Sequence, residues 1–282
     1  MPTALDNLIK LLDLEELEVN IFRGVSPKEE RQRVFGGQVA AQALVAATRT
    51  IEFGHVHSLH CYFLRPGDPR RPILYEVDRI RDGRSFITRR VVAIQHGRAI
   101  FNLDASFHKD EPGLEYHAPM PKVPAPEELP TFAERVAPFR EQLGDWVDRE
   151  RPIDIRLCDP MNRPPEQWRE PQAQAWLRTN GTLPDDPMLH AYILTYASDM
   201  TLLDTTVRPH GLVWSPDRKL MMASLDHCMW FHRRFRVDDW LLYSQMTPAS
   251  AGGRGLATGA IYTRDGNLVV SVAQEGLIRQ LE

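Results

Sequence analysis

The sequence predicts an α+β protein of two tandem units, each a central helix followed by a meander of antiparallel strands. Three observations carry this. A helix of small residues opening at Phe35 is followed by four β-rich runs separated by turn residues. A second amphipathic helix near Met188 opens a similar series that runs to the C-terminus. The two series also echo each other. His60-Cys61-Tyr62-Phe63-Leu64-Arg65 answers His227-Cys228-Met229-Trp230-Phe231-His232 at an offset of 167 residues, and Gly97 and Ala105 answer Gly266 and Gln274 at 169. This places the units at 1–112 and 188–282, with a proline-rich connector over 113–187.

The 282 residues, 43% hydrophobic and 26% charged, have the balance of a globular chain with ample core and a length that allows roughly two domains. A formal charge of −4 argues against a nucleic-acid-binding surface, which is normally strongly basic. Cys61, Cys158 and Cys228 have neither disulfide nor metal spacing, so free thiols in a reducing compartment are expected. No apolar run approaches the roughly 18 residues of a membrane span, and the N-terminus has no signal-peptide apolar region, so the expected location is the cytoplasm.

In chain order, Leu5, Leu8, Ile9 and Leu12 form the stripe of a short amphipathic helix. Phe35-Gly36-Gly37-Gln38 then opens a helix with small residues nearly all round, which implies a helix gripped on most sides. Its two glycines fit either close packing at the helix start or an exposed N-terminus offering N–H groups to a carbonyl or anion. Strand runs follow at 56–64, 72–81, 85–95 and 98–108, with turns at Asp82-Gly83 and His96-Gly97. The interval 109–187 holds 14 of the chain's 22 prolines and reads as an irregular connector with short helices, one over 135–149, and a strand near 153–160.

In the second unit Leu189, Tyr192, Ile193, Tyr196, Ala197 and Met200 make a helical stripe. Asp199 falls at its edge, either reaching water or partly desolvated and poised for chemistry. The run 221–235 reads as one strand, with Met222, Ser224, Asp226, Cys228 and Trp230 on one face and Ala223, Leu225, His227, Met229 and Phe231 on the other. Both faces carry apolar groups, so the strand is expected to be covered on both sides and its polar groups partnered. Further strands are expected over 238–250, 256–263 and 267–280. On the last of these Gln274 shares a face with Val270 and Val272, an amide where an apolar residue is expected.

The motifs VFGGQ (34–38), SLHCYFLRPGD (58–68), YASDM (196–200), SLDHCMWFHR (224–233) and VAQEG (272–276), in this order, resemble the acyl-CoA thioesterase II family. They cover both halves and leave the proline-rich middle poorly matched. The resemblance implies a double hotdog fold, two units in which a sheet wraps a long helix, assembled into a homo-oligomer, either dimer or tetramer. It implies hydrolysis of fatty acyl-CoA to free acid and CoA by an attacking water, with no cofactor, metal or covalent intermediate. Residue by residue, the family's Asp/Ser-or-Thr/Gln triad falls on Asp199, Ser224 and Gln274, with Ser where relatives often have Thr.

Those residue types suit the reaction. A carboxylate in a water-poor cleft can orient water and take its proton, while a hydroxyl and an amide position the same molecule without adding charge. Backbone N–H groups near Gly36, Gly37 and Gln38 are candidate donors to the thioester oxygen. His57 is the first-half counterpart of Ser224, and a His at this place belongs to the family pattern; its role is structural or that of a base. Arg65, Arg70, Arg71, Arg233, Arg234 and Arg236 flank the two echoed strands, where they either meet CoA phosphates or form solvated surface.

Other chemistries find less support. G-x-S-x-G is absent, which argues against a serine hydrolase. His55, His57 and His60 lack an acidic helper for zinc. Two alternatives share the architecture: a hotdog acyl-CoA dehydratase or hydratase, which needs a His/Asp acid–base pair, and a non-catalytic acyl-CoA-binding module.

Overall fold

The computed structural model describes residues 2–27, 32–160, 167, 169–212 and 220–280. Helix α1 (Ala4–Leu12) starts at Thr3, whose hydroxyl accepts the Asp6 N–H while the Asp6 carboxylate accepts the Thr3 N–H, and it buries Leu5, Leu8 and Leu12. A hairpin of β1 (Glu15–Glu18) and β2 (Ile21–Gly24), which the sequence reading did not anticipate, precedes α2 (Gly36–Thr48). The meander follows as β3 (His55–Phe63), β4 (Ile73–Asp82), β5 (Phe86–Gln95) and β6 (Arg98–His108). His96 and Gly97 both hold positive φ, 49° and 68°, as a two-residue hairpin loop requires.

Two short helices, α3 (Phe132–Val136) and α4 (Arg140–Leu143), lie in the proline-rich interval. The second half then contributes β7 (Ile153–Leu157), β8 (Gln172–Thr179), α5 (Pro187–Ser198), β9 (Leu220–Ser224), β10 (Asp226–Phe231), β11 (Leu241–Ala251), β12 (Arg254–Thr263) and β13 (Leu268–Gln280). Asp186 caps α5 by accepting the Met188 N–H, and Pro187, which has no N–H to satisfy, takes the first turn.

The strands form one antiparallel sheet in the order β1-β2-β4-β5-β6-β3-β10-β13-β12-β11-β8-β7, with β9 also on β13. Read outward from the β3–β10 junction, the two halves have the same plan. At the junction Cys61 lies opposite His227 and His60 opposite Cys228, so the echoed His-Cys pairs face each other across a pseudo-twofold axis. α2 packs on β4, β5 and β6 and against α5. This is the α+β double hotdog architecture. Residues 37–47 of α2 are all buried, as a helix with small residues all round must be.

Inside the 113–187 interval, β7 and β8 extend the sheet beyond β11. The proline-rich segment before them is also a packing element. Met120, Val123 and Leu129 lie on a cluster of Trp176, Trp240, Leu242 and Tyr262, and Trp176 Nε1 donates to the Pro124 carbonyl at 2.9 Å. Proline suits such a strap, since its extended backbone needs no ladder partner.

The single strand expected over 221–235 is corrected in two ways. It is two strands, β9 and β10, broken at Leu225. Ser224 pairs with Gly276 and Cys228 with Ala273, so residues 225–227 face only 274 and 275: a one-residue bulge. The strand is also covered on one side only. His227 and Met229 are buried, whereas Trp230 is 36% exposed and meets His60 edge-on at 5.2 Å. The expectation that buried polar groups find partners holds at Asp226, whose Oδ1 accepts the Glu275 N–H at 2.6 Å, and only in part at His227, whose Nε2 lies 2.9 Å from Ser198 Oγ while its buried Nδ1 has no partner among the described residues.

Candidate active site

Asp199 is the C-cap of α5. A helix C-terminus is an unfavourable place for an anion, and the arrangement around the residue offsets this. The N-terminus of α2 abuts it, and the Gly37 N–H donates to its carboxylate. A Cβ on Gly36 would stand 2.8 Å from Asp199 Oδ2, and one on Gly37 would collide with the Tyr196 carbonyl oxygen. The glycine pair therefore lets two helix ends meet, and one of its N–H groups serves the carboxylate. Gln38 turns away into the core, its Nε2 donating to the Val25 carbonyl and Ser26 Oγ, each at 3.1 Å.

Three side chains from α5, β9 and β13 converge here. Ser224 Oγ donates to Asp199 Oδ1 at 3.2 Å, and Gln274 Nε2 lies 2.5 Å from the same oxygen and 3.0 Å from Ser224 Oγ. A carboxylate can only accept, so the amide nitrogen must face it. Gln274 is fully buried, and its Oε1 has no protein partner among the described residues. The bulge makes this meeting possible. Strict alternation would put Ser224 on the outer face with Asp226, Cys228 and Trp230; the extra residue turns it inward beside Gln274.

Burial raises the Asp199 pKa to about 6, against the lowering effects of the Gln274 and Ser224 hydrogen bonds, the Gly37 N–H and the Arg33 charge. Asp199 and Ser224 line a cavity of about 530 Å³ whose walls include Phe63, Leu64, Met200 and Met222. Arg33 and Asp204, neither singled out from the sequence, line it as well. Arg33 stands two residues before Phe35-Gly36, so nearness to that motif was its one visible signal.

The remaining candidates are distributed elsewhere. His57 lines a second cavity of about 350 Å³, with His55, His108 and Arg234, which shares no lining residue with the first. Its Nε2 lies 2.8 Å from Ser106 Oγ, and burial followed by nearby His108 lowers its pKa. Arg65 lines the triad cavity and donates to the Ala99 carbonyl at 2.6 Å. Arg70 and Arg71 are exposed beyond β3, Arg70 paired with Asp68 at 3.1 Å. Arg233 and Arg234 line the second cavity, and Arg236 pairs with Asp238 at 2.8 Å. Among the described residues no group of three His, Cys, Asp or Glu side chains is arranged to hold a metal.

A family model described as acyl-CoA thioesterase matches residues 151–277, and one described as the acyl-CoA thioesterase N-terminal domain matches 26–108. The chain belongs to the acyl-CoA thioesterase family. Similarity to individual members runs nearly end to end. The chain is 40% identical to acyl-CoA thioesterase 2 of Haemophilus influenzae over 99% of each chain. It is 42% identical to acyl-coenzyme A thioesterase 8 of Rattus norvegicus, over 95% of this chain and 88% of that one. The crystal structure of an acyl-CoA thioesterase II, TesB2, from Mycobacterium marinum superposes with a TM-score of 0.81 at 44% identity, covering 98% of this chain and 99% of the other. The thioesterase family thus spans both hotdog halves and includes the segments that carry Asp199, Ser224 and Gln274.

Proposed function

We propose that the chain hydrolyses fatty acyl-CoA thioesters to free acid and CoA, with a water activated in the cavity by Asp199 and Ser224. The observation that carries this reading is a half-buried carboxylate, its pKa raised to about 6, hydrogen-bonded to a hydroxyl and an amide at the wall of a largely apolar cavity. A carboxylate offers about four lone-pair sites. Ser224, Gln274 and the Gly37 N–H occupy three, leaving capacity for one water proton. A base with a pKa near 6 is mostly ionised at neutral pH and strong enough to take that proton as the water attacks the thioester carbon. Collapse of the tetrahedral intermediate breaks the C–S bond, and the proton held on Asp199 goes to the departing CoA sulfur. Gln274, whose amide nitrogen is engaged with both partners, braces the pair and holds Asp199 in its ionised form.

The dehydratase reading needs a histidine beside the carboxylate. None lines this cavity among the described residues, and His227, the buried histidine near α5, is bonded to Ser198 and held neutral by burial, its pKa lowered to about 4. A thiol-release assay over a panel of acyl-CoA chain lengths tests the proposal: turnover supports it, and saturable binding without CoA release would make the chain a binding module.

The same assay applied to variants tests the roles. Ser224→Thr should stay active, since it keeps the hydroxyl, while Ser224→Ala should be impaired; a trapped acyl-Ser224 adduct in mass spectrometry would replace water attack by a covalent route. Gln274→Ala should lower kcat by roughly 10²-fold. It removes the first of the interactions that hold the Asp199 pKa down, so the acid limb of its pH–rate profile should also move upward. An unmoved profile would deny Gln274 the bracing role.

The proposal extends to self-association. Tyr62, 58% exposed, and Trp230 share the outer face at the β3–β10 junction, a surface that a second copy would cover. Light scattering that returned the 32.3 kDa mass of one chain would contradict it.

A further inference from the structure

Asp204 lines the same cavity as Asp199, yet the chemistry above makes no use of it. It sits in the first turn of a 3-10 helix, Leu203–His210. That helix reaches the sheet because Gly255 and Gly276 lack side chains: a Cβ on Gly276 would collide with Leu203 Cδ1, and one on Gly255 would stand 2.6 Å from Thr206 Cβ. The residues after Asp204 are anchored, Thr205 Oγ1 donating to Gln245 Oε1 at 2.8 Å and Thr206 Oγ1 to the Leu203 carbonyl at 2.6 Å. The backbone around Asp204 is therefore held firmly, while its own carboxylate is open to the cleft and has no hydrogen-bond or ion-pair partner among the described residues.

The other charged side chains lining the cavity are Arg33, Arg65 and Asp199. Both arginines are directed to backbone carbonyls, Arg33 Nη2 to Met222 at 2.7 Å and Arg65 Nη1 to Ala99 at 2.6 Å. Asp204 is exposed at the cavity, and its carboxylate is mostly ionised at neutral pH even with its pKa raised to about 6. An unpaired anion in a cleft walled by Phe63, Leu64, Met200 and Met221 acts on whatever enters. It does not disturb a neutral alkyl chain, but it opposes a second carboxylate brought close to it, an effect moderated by the solvent that reaches Asp204 and by the charges of Arg33 and Arg65.

Resting on the thioesterase reading, we propose that Asp204 is a specificity-determining residue that rejects acyl groups ending in a carboxylate and restricts the site to uncharged acyl chains. This is discrimination by a repulsive element built against the wrong substrate. Asp199 repels such a substrate too, but it is common to every variant compared below, so the comparison isolates Asp204.

The experiment measures kcat/KM for octanoyl-CoA and for its ω-carboxy counterpart, suberoyl-CoA, with the wild type, Asp204→Asn and Asp204→Glu. In Asp204→Asn the suberoyl-to-octanoyl ratio should rise about tenfold, while octanoyl-CoA hydrolysis stays within about twofold of wild type. Asp204→Glu should keep the wild-type ratio. A ratio is independent of the folded fraction, so a loss of stability in either variant does not blur the result. An unchanged ratio in Asp204→Asn, with octanoyl-CoA still hydrolysed, overturns this proposal and leaves the thioesterase reading standing. A wild type that hydrolyses neither ester overturns both.

Discussion

Asp199→Asn is expected to lower kcat/KM by about 10³-fold or more while acyl-CoA binding stays close to wild type, because it deletes the proposed base and keeps the shape. In the wild type, kcat/KM should climb with pH through about 6, where Asp199 loses its proton. The same shift has a stability consequence of the opposite sense. The folded-state pKa lies above the model value of 3.8, so the folded chain holds this proton more tightly than the unfolded one. The stabilising contribution of the protonated group is complete below about 4 and is lost as pH rises through 6. Asn cannot ionise, so the variant should be more stable than wild type by about 3 kcal/mol well above pH 6, a gain that shrinks as the pH falls towards 4. Thermal melts at several pH values, paired with thiol release, check both halves. Full activity in Asp199→Asn would mean that another group is the base.

Gly37→Ala should be a strongly damaging single methyl beside the proposed base. The added Cβ meets the Tyr196 carbonyl oxygen, which belongs to the α5 backbone and cannot rotate away, and stands 2.6 Å from the Phe35 ring. Alanine's better helix propensity returns at most about 1 kcal/mol, against the several that forcing two packed helices apart requires. A net loss of about 2–4 kcal/mol is expected. Activity at neutral pH should fall as well, since separating the helix ends withdraws the Gly37 N–H from Asp199 and lets the carboxylate pKa climb further. Gly36→Ala is the informative contrast. Its Cβ faces Asp199 Oδ2 and the Phe63 ring, both at 2.8 Å, so it should injure activity more than stability. A Gly37→Ala protein that melts with the wild type would remove the close-approach explanation of the glycine pair.

Much of the architecture is local information. The stripe of Leu5, Leu8 and Leu12, the small-residue run of α2 and the turns at His96-Gly97 and Asp265-Gly266 each express a period or a φ requirement within a few residues, which is why α1, α2, α5 and the strands β3–β6 and β11–β13 are legible. The elements that escaped reading are those whose stability comes from elsewhere. β1, β2 and β8 are short or polar-rich strands that exist because a neighbouring strand offers its edge, and the proline-rich strap follows an apolar patch assembled from β8, β11 and β12. By itself the sequence determined the helix and strand plan, its duplication, and the identities of a carboxylate, a hydroxyl and an amide that fit no simple apolar pattern. Only the tertiary structure decided that they meet. One extra residue between Ser224 and Cys228 reverses the face that Ser224 presents. Asp199 gains its raised pKa from walls lying far from it along the chain. Asp204, inconspicuous beside a pair of threonines, faces the cleft because two glycines in distant strands let its helix settle on the sheet. Alternation and propensity act between neighbours in sequence, whereas register, burial and electrostatic coupling depend on which distant residues share a space.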